Sequence, residues 1–364
     1  MHSNKRANSM ENTHIGFEKP GPASSNEPPP ALYLDTFDGQ KLEHSVPVYL
    51  PWNLSVQEFQ AITRPLQHGE KAPFKFPALR NWLLKLFKTL NAQQDEAHVH
   101  HKCRYHFLAL KVEAAEWFSK DRLGFMKIQS RIRNGPDDDN WIPGAVFLRG
   151  GSVAILPIVQ PADASGEEEK QVIMTVQPRI AAGSLAFPEI PAGMLDDGEF
   201  KGTAAKELKE EAHLDIQESE LLDLSELALA DAPVDHLSEP ESLEMAMYPS
   251  PGKRRRKSSV NPILPLTSHF TGACDEFIKL YLYQKRLTRR HIEWLQGRAA
   301  GLEHEGETIK LKLVPLKSLW REGARDGKTL SALALYENLK REGKIPEIPD
   351  EPAEEPIKRE RAAY

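Results

Sequence analysis

The chain has 364 residues, a formal net charge of −6 and only two cysteines, Cys103 and Cys274. So mild an acidity excludes a global field for nucleic acid or membrane surfaces, and two distant cysteines exclude a disulfide framework. No apolar run reaches the ~20 residues of a spanning helix, and the N-terminus, with Glu11, Glu18 and no apolar core segment, lacks the pattern of a secretory signal. The expectation is a cytoplasmic protein with no membrane or nucleic-acid partner.

Residues 1–30 are rich in Asn, Ser and Pro, a composition that predicts a disordered tail. Leu32 to Leu50 alternates loosely about Asp38-Gly39 and predicts a hairpin. Val56 to Thr63, opened by Ser55, and Ala78 to Leu90 predict helices. The second carries an apolar stripe, including Trp82 and Leu86, that reads as core or interface packing. His98, His100, His101 and His106 have irregular spacing with no acid or thiol pattern to complete a metal site, so they read as loop residues leading into a strand, Tyr105 to Val112. Leu123 to Arg133 reads as a strand or short helix, and Asn134 to Asn140 as an acidic loop. Gly144 to Arg149 and Ser152 to Gln160 read as strands of a hairpin about Gly150-Gly151. Gln171 to Gln177 is another strand.

From Pro191 to Glu199 a glycine-bracketed loop, with Gly193 and Gly198, feeds a short helix. Positions i, i+3 and i+4 share a helix face, so Glu207, Glu210 and Glu211 point the same way. Three like charges repel unless a divalent cation sits among them, and oxygen-only ligands favour Mg²⁺ or Mn²⁺. Leu221 to Leu229 reads as a strand or short helix. Asp231 to Glu244 is an acidic, proline-interrupted insertion, and the basic run Lys253 to Lys257 reads either as a solvated loop or as a recognition signal such as nuclear import. Phe277 to Gln284 and Ile309 to Val314 predict strands; Thr288 to Leu295, Leu316 to Arg321 and Leu330 to Arg341 predict helices.

Gly193, Glu199, Glu207-Leu208, Glu210-Glu211 and Leu214 resemble the Nudix box. Three departures stand out: the gap before the basic residue is one residue short, Lys206 replaces an arginine, and His213 replaces a glycine. Lysine keeps the charge without the guanidinium fork. A histidine in the left-handed conformation expected at that helix end costs about 1 kcal/mol relative to glycine. Val176 to Ala182, Ser250-Pro251-Gly252, Gly272 to Glu276 and Gly301 to Glu307 extend the resemblance, from about Leu123 to Glu342, to the ADP-sugar pyrophosphatases, nearest the plant ADP-glucose-hydrolysing branch.

The resemblance implies an α/β (α+β) fold, the Nudix α/β/α sandwich with a mixed sheet, plus an N-terminal extension. It divides the chain into a tail (1–30), an N-terminal region of strands and helices (31–140), a Nudix domain (141–345) with insertions near 231–246 and 253–270, and a disordered tail (346–364). It implies Mg²⁺, with Mn²⁺ as substitute, held by the backbone carbonyl of Ala192 and by Glu207 and Glu211, with Glu210 sharing. Glu305 and Glu307 are implied as the pair from which one orients or deprotonates the water while the other reaches metal. Arg179 is implied as a bidentate substrate donor and Glu276 as a substrate-contacting acid, with Asp275 the weaker candidate. The implied reaction is hydrolysis of ADP-glucose or ADP-ribose to AMP and a sugar phosphate. The alternatives are another nucleoside diphosphate sugar such as UDP-glucose, and a Nudix module that binds nucleotide without hydrolysis. A homodimer is implied too, with the stripe at Trp82 and Leu86 as a candidate surface. Lys253 to Lys257 leaves a nuclear location open.

Overall fold

The computed structural model describes residues 29–37, 40–64, 76–120, 122–135, 141–142, 144–194, 200–230, 274–301 and 309–349. The two tails up to residue 28 and from 350, most of the acidic loop, Glu199, both insertions with the basic run, and Glu305 and Glu307 lie outside the described residues.

The first half forms a six-stranded sheet. β1 (Leu32–Phe37) and β2 (Gln40–Tyr49) pair antiparallel, as the hairpin signal predicts. α1 (Val56–Thr63) starts where Ser55 and Glu58 form a reciprocal capping box, each satisfying a backbone amide that the first turn leaves unpaired. α2 (Ala78–Ala92) follows, and together the two helices carry the chain to a strand parallel to β2, a connection that needs such a crossover. That strand, β3 (Tyr105–Ser119), pairs with β4 (Arg122–Asn134), and β4 carries β5 (Trp141–Ile142) and β6 (Ala145–Leu148). Leu123 to Arg133 is therefore strand. β3 runs seven residues past Val112, where the sequence pattern stops. Its buried positions Phe107, Leu110, Val112 and Ala115 break strict alternation because register shifts after Phe107 and Val112 insert extra residues, each flipping the side chains that follow.

Phe59, Leu79 and Leu83 from the helices meet Val48, Leu110, Met126 and Ile128 from the sheet to form one core. Trp82 and Leu86 are half-buried against it, Trp82 edge-on to Phe107 at 6.3 Å between ring centroids.

The expected hairpin at Gly150-Gly151 does not form. β6 pairs with β4, whereas β7 (Ser152–Pro161) enters a second, eight-stranded sheet beside the strand Ile278–Leu287. Gly150, at φ +87°, is the crossing point, and glycine suits its left-handed backbone. In the second sheet come β8 (Gln171–Arg179), β9 (Ser184–Glu189), β10 (Ala192–Met194), α3 (Phe200–Ala212), β11 (Leu222–Asp223), α4 (Leu224–Leu229), β12 (Ile278–Leu287), α5 (Arg289–Leu295), β13 (Ala299–Ala300), β14 (Ile309–Pro315), α6 (Leu319–Glu322) and α7 (Gly327–Arg341). Leu221 to Leu229 thus holds both a short strand and a helix.

β7 is buried along its whole length, as a strand covered on both faces must be. Val153, Ile155 and Val159 face a core shared with α3 and α5, while Ala154, Leu156 and Ile158 face one shared with α4, α6 and α7. A mixed sheet between two helical layers results, the α/β/α architecture expected. Among the described residues, no helix is long and apolar enough to cross a membrane.

Candidate active site

The site grows out of a split in the second sheet. β7 and β8 pair only at Ile158–Val172 and Val159–Gln171, then part. The returning chain fills the opening: β9 pairs with β8, and β10 pairs with β7 through Ala192–Ala154, Gly193–Val153 and Met194–Ser152. Between them the Pro191 carbonyl accepts from the Ile155 amide at 2.9 Å. α3 packs across this seam through Ala204, Leu208 and Ala212, all fully buried, and so its carboxylate face is turned onto β10.

Glu211 is buried. Its Oε2 accepts from the Ala192 amide at 3.1 Å and its Oε1 from Gln177 Nε2 at 3.1 Å. Burial pushes its pKa up to about 7 against the lowering effect of these two donors, with the Glu189 charge adding to the rise and Arg179 opposing it. Glu207 packs directly on Gly193: a β-carbon there would stand 1.7 Å from Glu207 Oε1. Glu210 is half-exposed, with Lys206 Nζ 3.9 Å from its Oε2. Lys206 therefore serves the carboxylate one turn on, as a point charge. All three carboxylates predicted from spacing lie on α3, with Glu207 and Glu211 meeting β10.

The fit to a divalent cation rests on this arrangement. The donors are oxygens, a glycine is required where a side chain would displace Glu207, and Glu211 is held so far from water that it resists ionisation unless a cation compensates.

Behind the carboxylates lies an ion network that the sequence reading missed. Glu189 accepts from Arg179 Nε at 2.6 Å and from Lys328 Nζ at 2.7 Å. Lys328 also reaches Asp326 Oδ1 at 2.9 Å. Burial disfavours the lysine's charge, but Asp326 and Glu189 outweigh it and hold its pKa above the usual value. Asp326 Oδ2 caps α7 through the Thr329 amide and hydroxyl, and Thr329 Oγ1 accepts from the Ile190 amide at 3.2 Å. The N-terminus of α7 is thereby tied to the β9–β10 turn. An available signal was Asp326 three residues before Thr329, a helix-start pattern. Glu189 carried none beyond being an acid beside Ile190.

Arg179 stands next to the site, half-exposed. Its Nε is taken by Glu189, and its two Nη groups have no partner among the described residues. Glu276 has protein partners on both oxygens, Arg149 Nη1 at 3.2 Å and Ser152 Oγ at 2.9 Å. Ser152 is the register partner of Met194, so Glu276 sits at the β10 end of the split. Asp275 instead accepts from the Arg149 and Gly150 amides, at 2.7 and 3.2 Å, and fastens the crossing between the sheets.

His213 adopts φ +54°, the left-handed conformation expected at that position. It also does what glycine cannot: its Nε2 bonds the Ala299 carbonyl at 2.8 Å, and its ring meets Trp294 edge-on at 5.8 Å. Two residues on from Ala299, the Gly301 amide donates to the Glu210 carbonyl at 3.1 Å. The segment bearing Glu305 and Glu307 lies outside the described residues, but its flanks are fixed, at Gly301 on α3 and at Lys310 opposite Val176.

No family model matches the chain. It is 32% identical over 236 residues to Nudix hydrolase 14, chloroplastic, of Arabidopsis thaliana, a match that covers 64% of this chain and 63% of that protein. The chain thus spans less than two thirds of that relative's length. A solved structure of an ADP compounds hydrolase aligns over 66% of this chain and 99% of its own, at 14% identity and a TM-score of 0.34, too loose a superposition to carry an argument. The sequence similarity supports a relationship to the Nudix hydrolases.

Proposed function

We propose that this chain is a Nudix-type hydrolase that cleaves the pyrophosphate bond of ADP-sugars, ADP-glucose or ADP-ribose, to AMP and a sugar phosphate. The observation that carries the reading is the pairing of the buried Glu211 with the Ala192 amide beside the contact of Glu207 on Gly193, an oxygen-rich seat built jointly by a helix and a strand.

Mg²⁺, with Mn²⁺ as substitute, is held by the Ala192 carbonyl, Glu207 and Glu211, with Glu210 and Glu307 sharing. When bound it neutralises the pyrophosphate charge and lowers the pKa of water at the reacting phosphorus. The protein's own groups do the rest. Arg179, fixed at Nε by Glu189, offers its Nη donors to pyrophosphate oxygens in bidentate fashion. Glu305 or Glu307 takes the proton of the attacking water, whose oxygen bonds to phosphorus as the bridging P–O bond breaks. The anchoring of the preceding chain at Gly301 to Glu210 supports this assignment. Glu276 contacts substrate from the β10 end of the split.

Purified protein with Mg²⁺ is expected to release AMP from ADP-glucose or ADP-ribose, and Glu211→Gln to abolish most of that release. Full activity in the variant overturns the metal assignment. UDP-glucose is the runner-up substrate, and a panel of nucleotide sugars compared by kcat/KM separates the two. Failure to cleave any of them, with nucleotide binding retained, favours a non-hydrolytic module. We further propose a homodimer, which sedimentation tests.

A further inference from the structure

His106 gains partners that its neighbours in sequence do not supply. From Leu34–Val46 to Thr36–Lys41 the register advances two residues along β1 but five along β2, so Leu42 to Ser45 bulge out of the ladder. A bulge re-aims side chains that would otherwise alternate between faces. Here it lets the adjacent Glu43 and His44 turn towards the same place. A second irregularity, between Phe107 and Ala109, follows His106 on β3. One ligand atom from each of Glu43, His44 and His106 lies within 4.8 Å of the others. His106 Nδ1 is 3.4 Å from Glu43 Oε2.

The support around these groups has the form that metal-binding histidines use. His44 Nε2 lies 2.8 Å from the Phe107 carbonyl, and a carbonyl can only accept, so the ring holds its proton there and keeps its lone pair on Nδ1. The three residues open into a hollow of about 300 Å³ whose walls also include Leu108, Arg133 and Gly135. Two imidazoles and one carboxylate suit zinc rather than the hard ions of an all-oxygen site.

We propose that Glu43, His44 and His106 form a binding site for one divalent transition ion, zinc in the first instance, which ties β2 to β3 and leaves a coordination position open to the hollow. The site is separate from the α3 carboxylates and does not rest on the proposed hydrolase activity.

The test is zinc binding to the full chain by equilibrium dialysis, with excess Mg²⁺ present to occupy oxygen sites. One zinc per chain is expected. Affinity should fall in His44→Ala and in His106→Ala by more than the roughly 10- to 100-fold that loss of a supporting hydrogen bond costs. Glu43→Gln, an exposed position whose substitution leaves the fold intact, should weaken binding too. Glu211→Gln and Cys103→Ser should bind as the parent does, and bound Co²⁺ should show no thiolate charge-transfer band. Zinc should raise the melting temperature of the parent but not of Glu43→Gln. Absence of binding at micromolar zinc overturns the proposal, as does retention of zinc in both Glu43→Gln and His106→Ala, or its loss in Cys103→Ser.

Discussion

A β-carbon on residue 193 would stand 1.7 Å from Oε1 of Glu207 and 2.0 Å from its carboxyl carbon. Strand and helix therefore approach as closely as a bare backbone permits, and the carboxylate is the part that yields. Gly193→Ala is expected to leave the melting temperature almost unchanged while lowering kcat/KM by about 100-fold, the scale of an ångström-sized misplacement of a reacting group. An equal loss of stability and activity would show that the glycine serves only the fold.

Glu211 has a pKa of about 7 in the folded chain against an ordinary 4.5. An acid whose pKa is raised on folding binds more protons in the native state, so between those two values its contribution to stability falls as pH rises. Metal-free protein should therefore lose more stability from pH 5 to pH 8 than Glu211→Gln, which resembles the protonated form. In denaturant titrations the variant should overtake the parent at the alkaline end, by a few kcal/mol at most. Mg²⁺ should restore the parent and leave the variant unmoved.

The buried Glu189 pairs with the partly buried Lys328 at 2.7 Å. Removing Lys328 leaves the buried Glu189 with the half-exposed Arg179 as its remaining counter-ion. Lys328→Met is expected to cost about 1.5–3 kcal/mol, less than the loss of a sole counter-ion because Arg179 stays on Glu189, and Glu189→Gln combined with it to recover part of that loss. Thermal or chemical unfolding of the single and double variants reads the difference; an additive double variant would rule out the coupling.

His213 combines a left-handed backbone with a bond to Ala299. His213→Gly removes both strain and bond, so its net effect on stability should lie within about 1 kcal/mol. His213→Ala keeps the strain and loses the bond, and should be less stable than His213→Gly by about 1 kcal/mol. The reverse order in unfolding midpoints would show that the backbone strain is not felt.

Sequence spacing suffices where the determinants are local. The Ser55–Glu58 box starts α1 because cap and acid are three residues apart, and the face shared by Glu207, Glu210 and Glu211 follows from helix periodicity alone. The left-handed position at His213 was legible from the resemblance, which sets it where the Nudix box has a glycine at the helix end. Gly150-Gly151 shows the opposite case. Two apolar runs about a glycine pair have the pattern of a hairpin, but a strand's partner is chosen by the packing of distant elements. β6 joins β4 while β7 joins β12, more than a hundred residues away.

By itself, the sequence determined that a glycine-bracketed loop would feed a helix carrying three carboxylates; that part of the loop is a strand, β10, came from the structure. Only the tertiary structure decided what environment those groups have. Glu211 is raised towards neutrality because β8 and β10 close over it, and Arg179 is aimed by Glu189, which Lys328 holds from 139 residues further along the chain. Burial and charge pairing depend on which segments meet in space, and spacing along one helix does not encode that.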